Sequence, residues 1–367
     1  MKKTILITGS GGLIGSQAVK YFSEKGYSIV GIDDNHRKYF FGDSGSTNNS
    51  TLNLIKKYKN FKHYPVDIRR YDKLKIIFEM YKIDAIIHTA AQPSHDWAKN
   101  EPITDFTINA NGTLNLLELT RLYYKDIPFI FTSTNKVYGD IPNNSFINNI
   151  PDSNYNNIFI KEEETRYEAY FHEPKFPTPR LASIDETMSI DNCTHSLFGV
   201  SKASADLLCQ EYGKYFNMNT GIFRGGCLTG PDHSGVELHG FLAYIIKCIK
   251  NNLPYKVFGY KGKQVRDNIH AYDLITMFDH FIENPTQGEV YNAGGSRENN
   301  ISILETIQKV ENYTGKKYTN FEILDENRVG DHIWYISNID KFKKQYPKWE
   351  FRYNIDDIIV DIINNQS

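Results

Sequence analysis

Short apolar runs alternate with stretches of helical spacing over the first half of the chain. The runs TILIT (4–8), SIVGID (28–33), FKHYPVDI, AIIHTA and FIFTST (129–134) are rich in β-branched and aromatic residues and predict five strands. LIGSQAVKYFSEKG follows the first run and TLNLLELTRLYY precedes the last, and both predict helices. Alternating strands and helices indicate βαβ units and a parallel sheet covered on both faces.

The pattern changes after Thr134. Residues 141–190 are polar and contain prolines, so they predict an irregular insertion. Helical spacing resumes over 201–216 and is followed by a strand, TGIFRGG, while NIDDIIVDIIN ends the chain.

A glycine array stands between the first strand and the first helix. TGSGGLIG places Gly9, Gly12 and Gly15 three residues apart, and Gly9 with Gly11 forms a Gly-x-Gly pair. Glycines at this point allow a tight turn and let a pyrophosphate approach the N–H groups at the start of the helix. The alternative is an ordinary strand–turn–helix, but the context favours a dinucleotide site.

The second strand ends at Asp33, whose carboxylate can accept hydrogen bonds from ribose hydroxyls and repels a 2′-phosphate. This favours NAD over NADP as the cofactor. Arg37 and Lys38 follow closely and could instead pair with a phosphate, or lie in a solvated loop. Asp67 either caps a strand end or meets the adenine amino group.

The fold class predicted from these patterns is α/β, a doubly wound parallel sheet of the Rossmann type with a smaller C-terminal substrate-binding region. We expect residues 1–220 to form the NAD-binding domain, with the insertion at 141–190. Residues 221–367 would be mainly substrate-binding and interleaved with the first domain.

Composition removes several function classes. The formal net charge is -2, which does not favour a nucleic-acid partner. Four cysteines, Cys193, Cys209, Cys227 and Cys248, form no Cys-x-x-Cys pair, so no zinc site, no other metal site and no disulfide framework is expected. No apolar stretch approaches the ~18 residues of a membrane-spanning helix. We expect a cytoplasmic protein without a membrane partner.

Several further motifs occur in an order that resembles a known family. They are HTAAQ (88–92), NANGTLNLLE (109–118), STNKVYGD (133–140), FRGGCLTGP (223–231), GKQVRDNIHAYD (262–273) and YNAGG (291–295). With the glycine array they resemble the extended short-chain dehydrogenases/reductases that act as sugar-nucleotide epimerases and dehydratases. STNKVYGD is similar to the CDP-paratose 2-epimerase branch. The resemblance covers nearly the whole chain and implies tightly bound NAD, a nucleotide-diphosphate sugar as substrate and a homodimer.

The resemblance also implies the site residues. Those expected to bind the cofactor are Gly9, Gly11, Gly12, Leu13, Ile14, Gly15, Asp33, Asp34, Asn35, Arg37, Asp67, Ile68, Ala90, Ala91, Gln92, Asn109 and Lys202. Those expected to bind the substrate are Thr134, Asn135, Lys136, Gly226, Arg266 and Arg328. Thr134, Lys136, Tyr138 and Lys202 are the expected catalytic residues. Thr134 would bond a sugar oxygen, Lys202 the nicotinamide ribose, and Arg266 the diphosphate, with Arg328 as a second candidate. His233, Glu237 and His239 are polar candidates for the wall of the sugar pocket.

The two residues that follow Thr134 distinguish the epimerases of the family from its dehydratases. The related 4,6-dehydratases carry an Asp-Glu pair there, whose carboxyls move protons. This chain has Asn135 and Lys136 instead, neither of which is a carboxylic acid. The resemblance therefore favours epimerisation by transient oxidation and re-reduction of a sugar carbon. Decarboxylases, dehydratases and reductases on the same scaffold remain alternatives.

The family pattern Tyr-x-x-x-Lys reads Phe198 and Lys202 here, so the usual acid–base tyrosine is missing. Another group could supply the base, and the sequence offers Tyr138, His195, Lys136, Tyr167 and Tyr170. Tyr138 and His195 also have a structural alternative, since VYG is common to the family whatever the chemistry and a histidine near a helix start is more often a cap or a packed residue than a base. A desolvated Lys202 could take the proton itself. Alternatively, the protein binds NAD or a nucleotide sugar without catalysis.

Overall fold

The computed structural model describes residues 2–147, 158–171, 178–231, 240–326 and 331–365. The strands are β1 (Thr4–Thr8), β2 (Ser28–Ile32), β3 (Phe61–Tyr64), β4 (Ala85–His88), β5 (Phe129–Thr134), β6 (Ile158–Glu162), β7 (Tyr167–Phe171), β8 (Arg180–Leu181), β9 (Thr220–Gly225), β10 (Cys227–Thr229), β11 (Tyr255–Phe258), β12 (Val265–His270), β13 (Glu289–Ala293), β14 (Asn300–Ser302), β15 (Phe321–Leu324) and β16 (Trp334–Tyr335). The helices are α1 (Leu13–Glu24), α2 (Arg37–Phe41), α3 (Asn48–Lys57), α4 (Tyr71–Met80), α5 (His95–Asn100), α6 (Pro102–Phe106), α7 (Gly112–Tyr123), α8 (Ile141–Ile147), α9 (Ser196–Phe216), α10 (Phe241–Asn251), α11 (Ala271–Glu283), α12 (Ile303–Thr314), α13 (Asp340–Gln345) and α14 (Ile355–Asn365).

Seven parallel strands form the central sheet in the order β3-β2-β1-β4-β5-β9-β13. The order reverses at β1, as in a doubly wound sheet, so the predicted fold class is confirmed. The third strand is shorter than the run FKHYPVDI predicted, because it ends at Tyr64 and Pro65 has no N–H to donate to a ladder.

Helices cover both faces of this sheet. Ile5 and Ile7 of β1 pack on one side with Phe22 of α1 and Phe278 of α11. Leu6, between them, faces the opposite side, in the cluster built with α4, α7 and α9. Burial on both faces explains why the strands are nearly continuous apolar runs.

The carboxyl ends of the strands meet along one edge. Thr8 pairs with both Ile32 and His88, and Thr134 pairs with Gly225. The residues that follow each strand therefore emerge side by side at this edge, which is where open α/β sheets bind ligands.

The insertion at 141–190 is more ordered than the sequence predicted. It contains α8 and an antiparallel sheet, β6-β7-β8, although residues 148–157 and 172–177 lie outside the described part. Ile158 and Ala169 are buried in a cluster with Trp334 of β16. The strands were missed because they are short and mix charged with apolar residues, so little apolar signal remains.

The rest of the C-terminal half forms a second layer next to the carboxyl edge. β10, β12, β14 and β16 make one sheet, and β11 pairs with β15. A separate apolar cluster joins α10, α12 and α14 to β11. Among the described residues, no helix is long and apolar enough to cross a membrane.

Candidate active site

A cavity of about 460 Å³ runs along the carboxyl edge of the central sheet. Its walls come from the segments that follow β1, β2, β4, β5 and β9, and from β12 in the second layer. The cavity therefore lies between the sheet domain and the C-terminal layer.

The glycine turn forms one end of the cavity. Gly9 has a φ of 68°, and a Cβ there would lie 2.8 Å from the backbone nitrogen of Ala90. At Gly15 a Cβ would overlap the carbonyl oxygen of Gly9, so the turn closes tightly on α1. Gly12 is the N-cap of α1 and offers no side chain to the first N–H groups of the helix. Those N–H groups and the helix dipole suit an anion such as a pyrophosphate.

Asp33 lies beside this turn. Its carboxylate accepts hydrogen bonds from the backbone N–H of Gly11 at 2.9 Å and of Asn35 at 2.8 Å. The hydroxyl of Thr47 donates a third, at 3.1 Å. A carboxylate has about four acceptor positions, so Asp33 retains capacity for a ribose hydroxyl. Asp67 also lines this end and is held by the guanidinium of Arg69 at 2.6 Å.

Lys202 lines the cavity and is buried. Its ammonium donates to the carbonyl oxygen of Thr132 at 2.8 Å and lies 4.2 Å from the centroid of the Phe131 ring. Burial lowers the pKa of Lys202 to about 8. The helix that carries Lys202 is fixed by a buried network, because Asn109 donates to Ser201 at 3.0 Å and to Asp105 at 3.1 Å.

The other end of the cavity carries Thr134, Asn135 and Lys136 on the turn after β5. The Thr134 hydroxyl accepts from the Lys136 N–H at 3.2 Å, which fixes the direction of the turn. Arg266 of β12 faces this end and donates to Asp331 at 2.6 Å. Burial favours a higher pKa for Asp331, but the charges of Arg266 and Lys136 outweigh burial and lower the pKa well below its usual range. This end is therefore a charged, buried site suited to phosphate and sugar oxygens.

Phe198 lines the cavity one helical turn before Lys202. Its ring is 7% exposed and contacts the imidazole of His95, with ring centroids 4.9 Å apart. His95 also lines the cavity.

The sequence comparisons agree with this geometry. The chain matches the model of the NAD dependent epimerase/dehydratase family over residues 5–160 and 175–294. It is 30% identical to a CDP-paratose 2-epimerase of Salmonella typhi, over 92% of this chain and 91% of that protein.

The chain belongs to the NAD-dependent epimerase/dehydratase family.

Dehydratases of the family match as well. A dTDP-glucose 4,6-dehydratase of Salmonella typhimurium is 28% identical over 83% of this chain and 75% of that protein. A solved UDP-glucuronic acid 4-epimerase of Bacillus cereus, in complex with UDP-glucuronic acid and NAD, has the same fold. Its TM-score is 0.74 at 22% identity, with 99% of this chain and 98% of that chain covered. The predicted family and cofactor, NAD, are confirmed.

The structure brings most of the predicted site residues to the cavity. Those that line it are Gly9, Gly12, Leu13, Ile14, Asp33, Asp34, Arg37, Asp67, Ile68, Ala90, Ala91, Thr134, Asn135, Lys136, Lys202, Gly226 and Arg266. Five predicted residues do not line the cavity but support residues that do. Gly15 closes the glycine turn, and the N–H groups of Gly11 and Asn35 donate to Asp33. Gln92 and Asn109 are joined in the buried network beneath Lys202. Arg328 lies outside the described residues, as do His233, Glu237 and His239.

Tyr138 requires a correction, because the structure places it in the core instead of the cavity. Its side chain is fully buried, and its hydroxyl donates to Asn292 at 2.8 Å and accepts from Arg224 at 3.2 Å. Burial raises its pKa above the usual range. The short helical turn after Thr134 points Tyr138 away from the cavity, so its position opposes a role as the base.

His95 is a cavity residue that the sequence reasoning missed. A signal existed, since His95 lies three residues after the motif HTAAQ (88–92), in the segment that follows the carboxyl end of β4. Cys227 also lines the cavity. Burial raises the pKa of Cys227 to about 12, so its thiol stays protonated.

Proposed function

We propose that this protein is a nucleotide-sugar epimerase, similar to CDP-paratose 2-epimerase, that oxidises and re-reduces one sugar carbon. The observation that carries the proposal is the pair Asn135 and Lys136 directly after Thr134 at the cavity. A dehydratase needs carboxylic acids at this point to move protons, and this pair provides none. The 30% identity to a CDP-paratose 2-epimerase supports the same choice.

NAD fits the residues of the sheet edge. The glycine turn and the start of α1 would hold the pyrophosphate, and Asp33 the adenosine ribose. Lys202 would bond the nicotinamide ribose. When bound, NAD supplies the acceptor for the hydrogen and electron pair of a sugar carbon and later returns them.

The other end of the cavity would hold the nucleotide sugar. Arg266 is anchored by Asp331, which presents its guanidinium for a diphosphate oxygen. Thr134 would hydrogen-bond the reacting sugar oxygen, and Lys136 would offset the negative charge that develops there. Asn135 and Gly226 would line the sugar site beside them.

The proposed chemistry is tested against dehydration by the product formed in deuterated water. The protein is incubated with CDP-paratose, dTDP-glucose or UDP-glucuronic acid, and the products are followed by NMR. We expect an epimer from one of these sugars, no 4-keto-6-deoxy sugar and no deuterium at C5. Formation of a 4-keto-6-deoxy sugar from dTDP-glucose would show that the protein is a dehydratase.

Phe198 favours a second candidate, a non-catalytic protein that binds NAD or a nucleotide sugar. Under this alternative, calorimetry detects binding of a nucleotide sugar but none is converted. The variant Phe198→Tyr discriminates between the two functions. If it alone turns on NAD reduction in an otherwise inert protein, the natural chain lacks a base and the binding function replaces the epimerase.

We also propose a homodimer, formed through α7 and α9. These helices pack against each other and carry exposed apolar side chains, Leu114 and Leu122 on α7 and Val200, Leu207 and Tyr215 on α9. The three residues of α9 recur every seven or eight positions, so they form one stripe along the helix. An exposed apolar stripe on two adjacent helices suits association with a second copy of this chain.

A further inference from the structure

The imidazole of His95 lies against the phenyl ring that stands in place of the expected tyrosine. The centroids of His95 and Phe198 are 4.9 Å apart and the rings are inclined by 61°. Both side chains line the cavity, and Phe198 lies one helical turn before Lys202. His95 is therefore a titratable group at the part of the wall where the family has its phenol.

The position of His95 is fixed from two sides. It begins α5, where the hydroxyl of Ser94 caps the helix by accepting from the Trp97 N–H at 3.4 Å. Its Nδ1 lies 2.9 Å from the hydroxyl oxygen of Ser196, which also accepts from the Gly199 N–H at 3.2 Å. In the tautomer with the proton on Nδ1, this hydroxyl accepts from His95 and the lone pair of Nε2 is the basic one.

The structure disfavours most other bases that the sequence offered. Tyr138 is locked in the core by Arg224, and neither His195, Tyr167 nor Tyr170 lines the cavity. Lys136 faces the carboxylate of Asp331, whose charge favours a protonated ammonium. Lys202 remains, but its ammonium already donates to Thr132.

We infer that His95 is the catalytic base and acid of the reaction, in place of the missing tyrosine. The inference rests on the proposed epimerase function. In the oxidation step, the O–H bond of the sugar hydroxyl breaks and its proton goes to a ring nitrogen of His95. The electron pair of that bond forms the C=O bond as the carbon gives its hydrogen and electron pair to NAD. In the return step, the imidazolium gives the proton back to the oxygen.

Single-turnover reduction of bound NAD tests the inference with His95→Gln, which removes the basic nitrogen but keeps a polar side chain for Ser196. His195→Gln is the matched control, because that histidine is the N-cap residue of α9, the helix that carries Phe198 and Lys202, and does not line the cavity. We expect His95→Gln to lose about 10²- to 10⁴-fold in rate with NAD still bound, and His195→Gln to keep the wild-type rate. The double variant His95→Gln/Phe198→Tyr should recover part of the loss, because the phenol then serves as the base.

The outcomes separate this inference from the proposed function. If the wild type reduces NAD and His95→Gln does so within a factor of about three, His95 is not the base, but the epimerase function stands. If the wild type reduces NAD with none of CDP-paratose, UDP-glucose and UDP-glucuronic acid, both proposals fail.

A second readout does not depend on activity. Diethyl pyrocarbonate modification of the NAD-bound protein, followed by peptide mass spectrometry, reports the accessibility of each histidine. We expect at least one of CDP-paratose, UDP-glucose and UDP-glucuronic acid, at saturating concentration, to protect His95 at least tenfold and to leave the modification of His195 unchanged. Equal modification of His95 with and without the saturating sugar would overturn the inference, because the sugar then does not reach the imidazole.

Discussion

Alanine substitutions in the glycine turn distinguish its role in stabilising the fold from its role in binding NAD. In Gly15→Ala the added methyl carbon would lie 2.6 Å from the carbonyl carbon of Gly9 and 2.9 Å from the Cα of Ser10. Carbon atoms pack at about 3.5–4.0 Å, so the turn has to move by about 1 Å. In Gly12→Ala the nearest atom, the carbonyl oxygen of Gly9, is 3.3 Å away, so the turn hardly changes.

We expect Gly15→Ala to lower the free energy of unfolding by about 1–3 kcal/mol, the usual cost of overpacking, and to weaken NAD binding as the turn shifts. Gly12→Ala should change stability by less than about 1 kcal/mol. It should still weaken NAD binding at least tenfold, because the methyl group keeps the pyrophosphate from the N–H groups of α1. Loss of one charge-assisted hydrogen bond, at about 1.5–3 kcal/mol, corresponds to roughly 10- to 150-fold in Kd.

Urea unfolding and calorimetric titration of the NAD-free protein measure the two effects. Ser16→Ala is the matched control, because Ser16 is buried in the same first turns of α1 and does not line the cavity. It should bind NAD as the wild type does. Wild-type NAD affinity in Gly12→Ala would refute the placement of the pyrophosphate at this turn.

Three further variants test other parts of the account. Lys202→Met should retain NAD but lose at least about a hundredfold in single-turnover reduction, because the ribose contact and the local charge are lost together; an unchanged rate would contradict this. Burial raises the pKa of Asp105 to about 6, so the folded state retains a proton that the unfolded state releases, and stability falls as the pH rises from about 4 to 6. Asp105→Asn should remove this pH dependence. At pH 7 its free energy of unfolding in urea should exceed that of the wild type by about 1–2 kcal/mol, with allowance for screening by water. An identical pH dependence in the variant would oppose the assignment. Leu207→Glu should convert the proposed dimer to a monomer in sedimentation experiments, and a dimer that persists would place the interface elsewhere.

The sequence predicted the sheet well because its signal is local. Strands buried on both faces are continuous apolar runs, as in β1 and β5, and the glycine array marks the turn between β1 and α1. Asp33 was predicted at the cofactor site from its place at the end of the second strand, and Thr134 at the substrate site from the family resemblance. Both line the same cavity because parallel strands end at the same edge. The strands β6 and β7 were missed because burial does not follow polarity in them: β6 exposes Phe159, whereas β7 buries Glu168, which pairs with Arg297.

The part of the site that the sequence did not predict depends on contacts between segments that are distant in the chain. His95 and Phe198 meet through the packing of α5 on α9, and no residue spacing indicates that contact. Tyr138 was among the expected catalytic residues. The turn after β5 is a single 3₁₀ turn, and its direction, which only the folded chain defines, places Tyr138 beside Arg224.

The central claim is that one sugar carbon is oxidised and re-reduced in the cavity. Its most direct test is to mix the NAD-bound protein with CDP-paratose, UDP-glucose or UDP-glucuronic acid in deuterated water, while following the absorbance of reduced nicotinamide. We predict that one sugar produces a transient reduced cofactor and then an epimer whose inverted carbon keeps its original hydrogen, with no net consumption of NAD. An epimer that carries deuterium at that carbon, or sugars that bind without any reduction of the cofactor, would contradict the account.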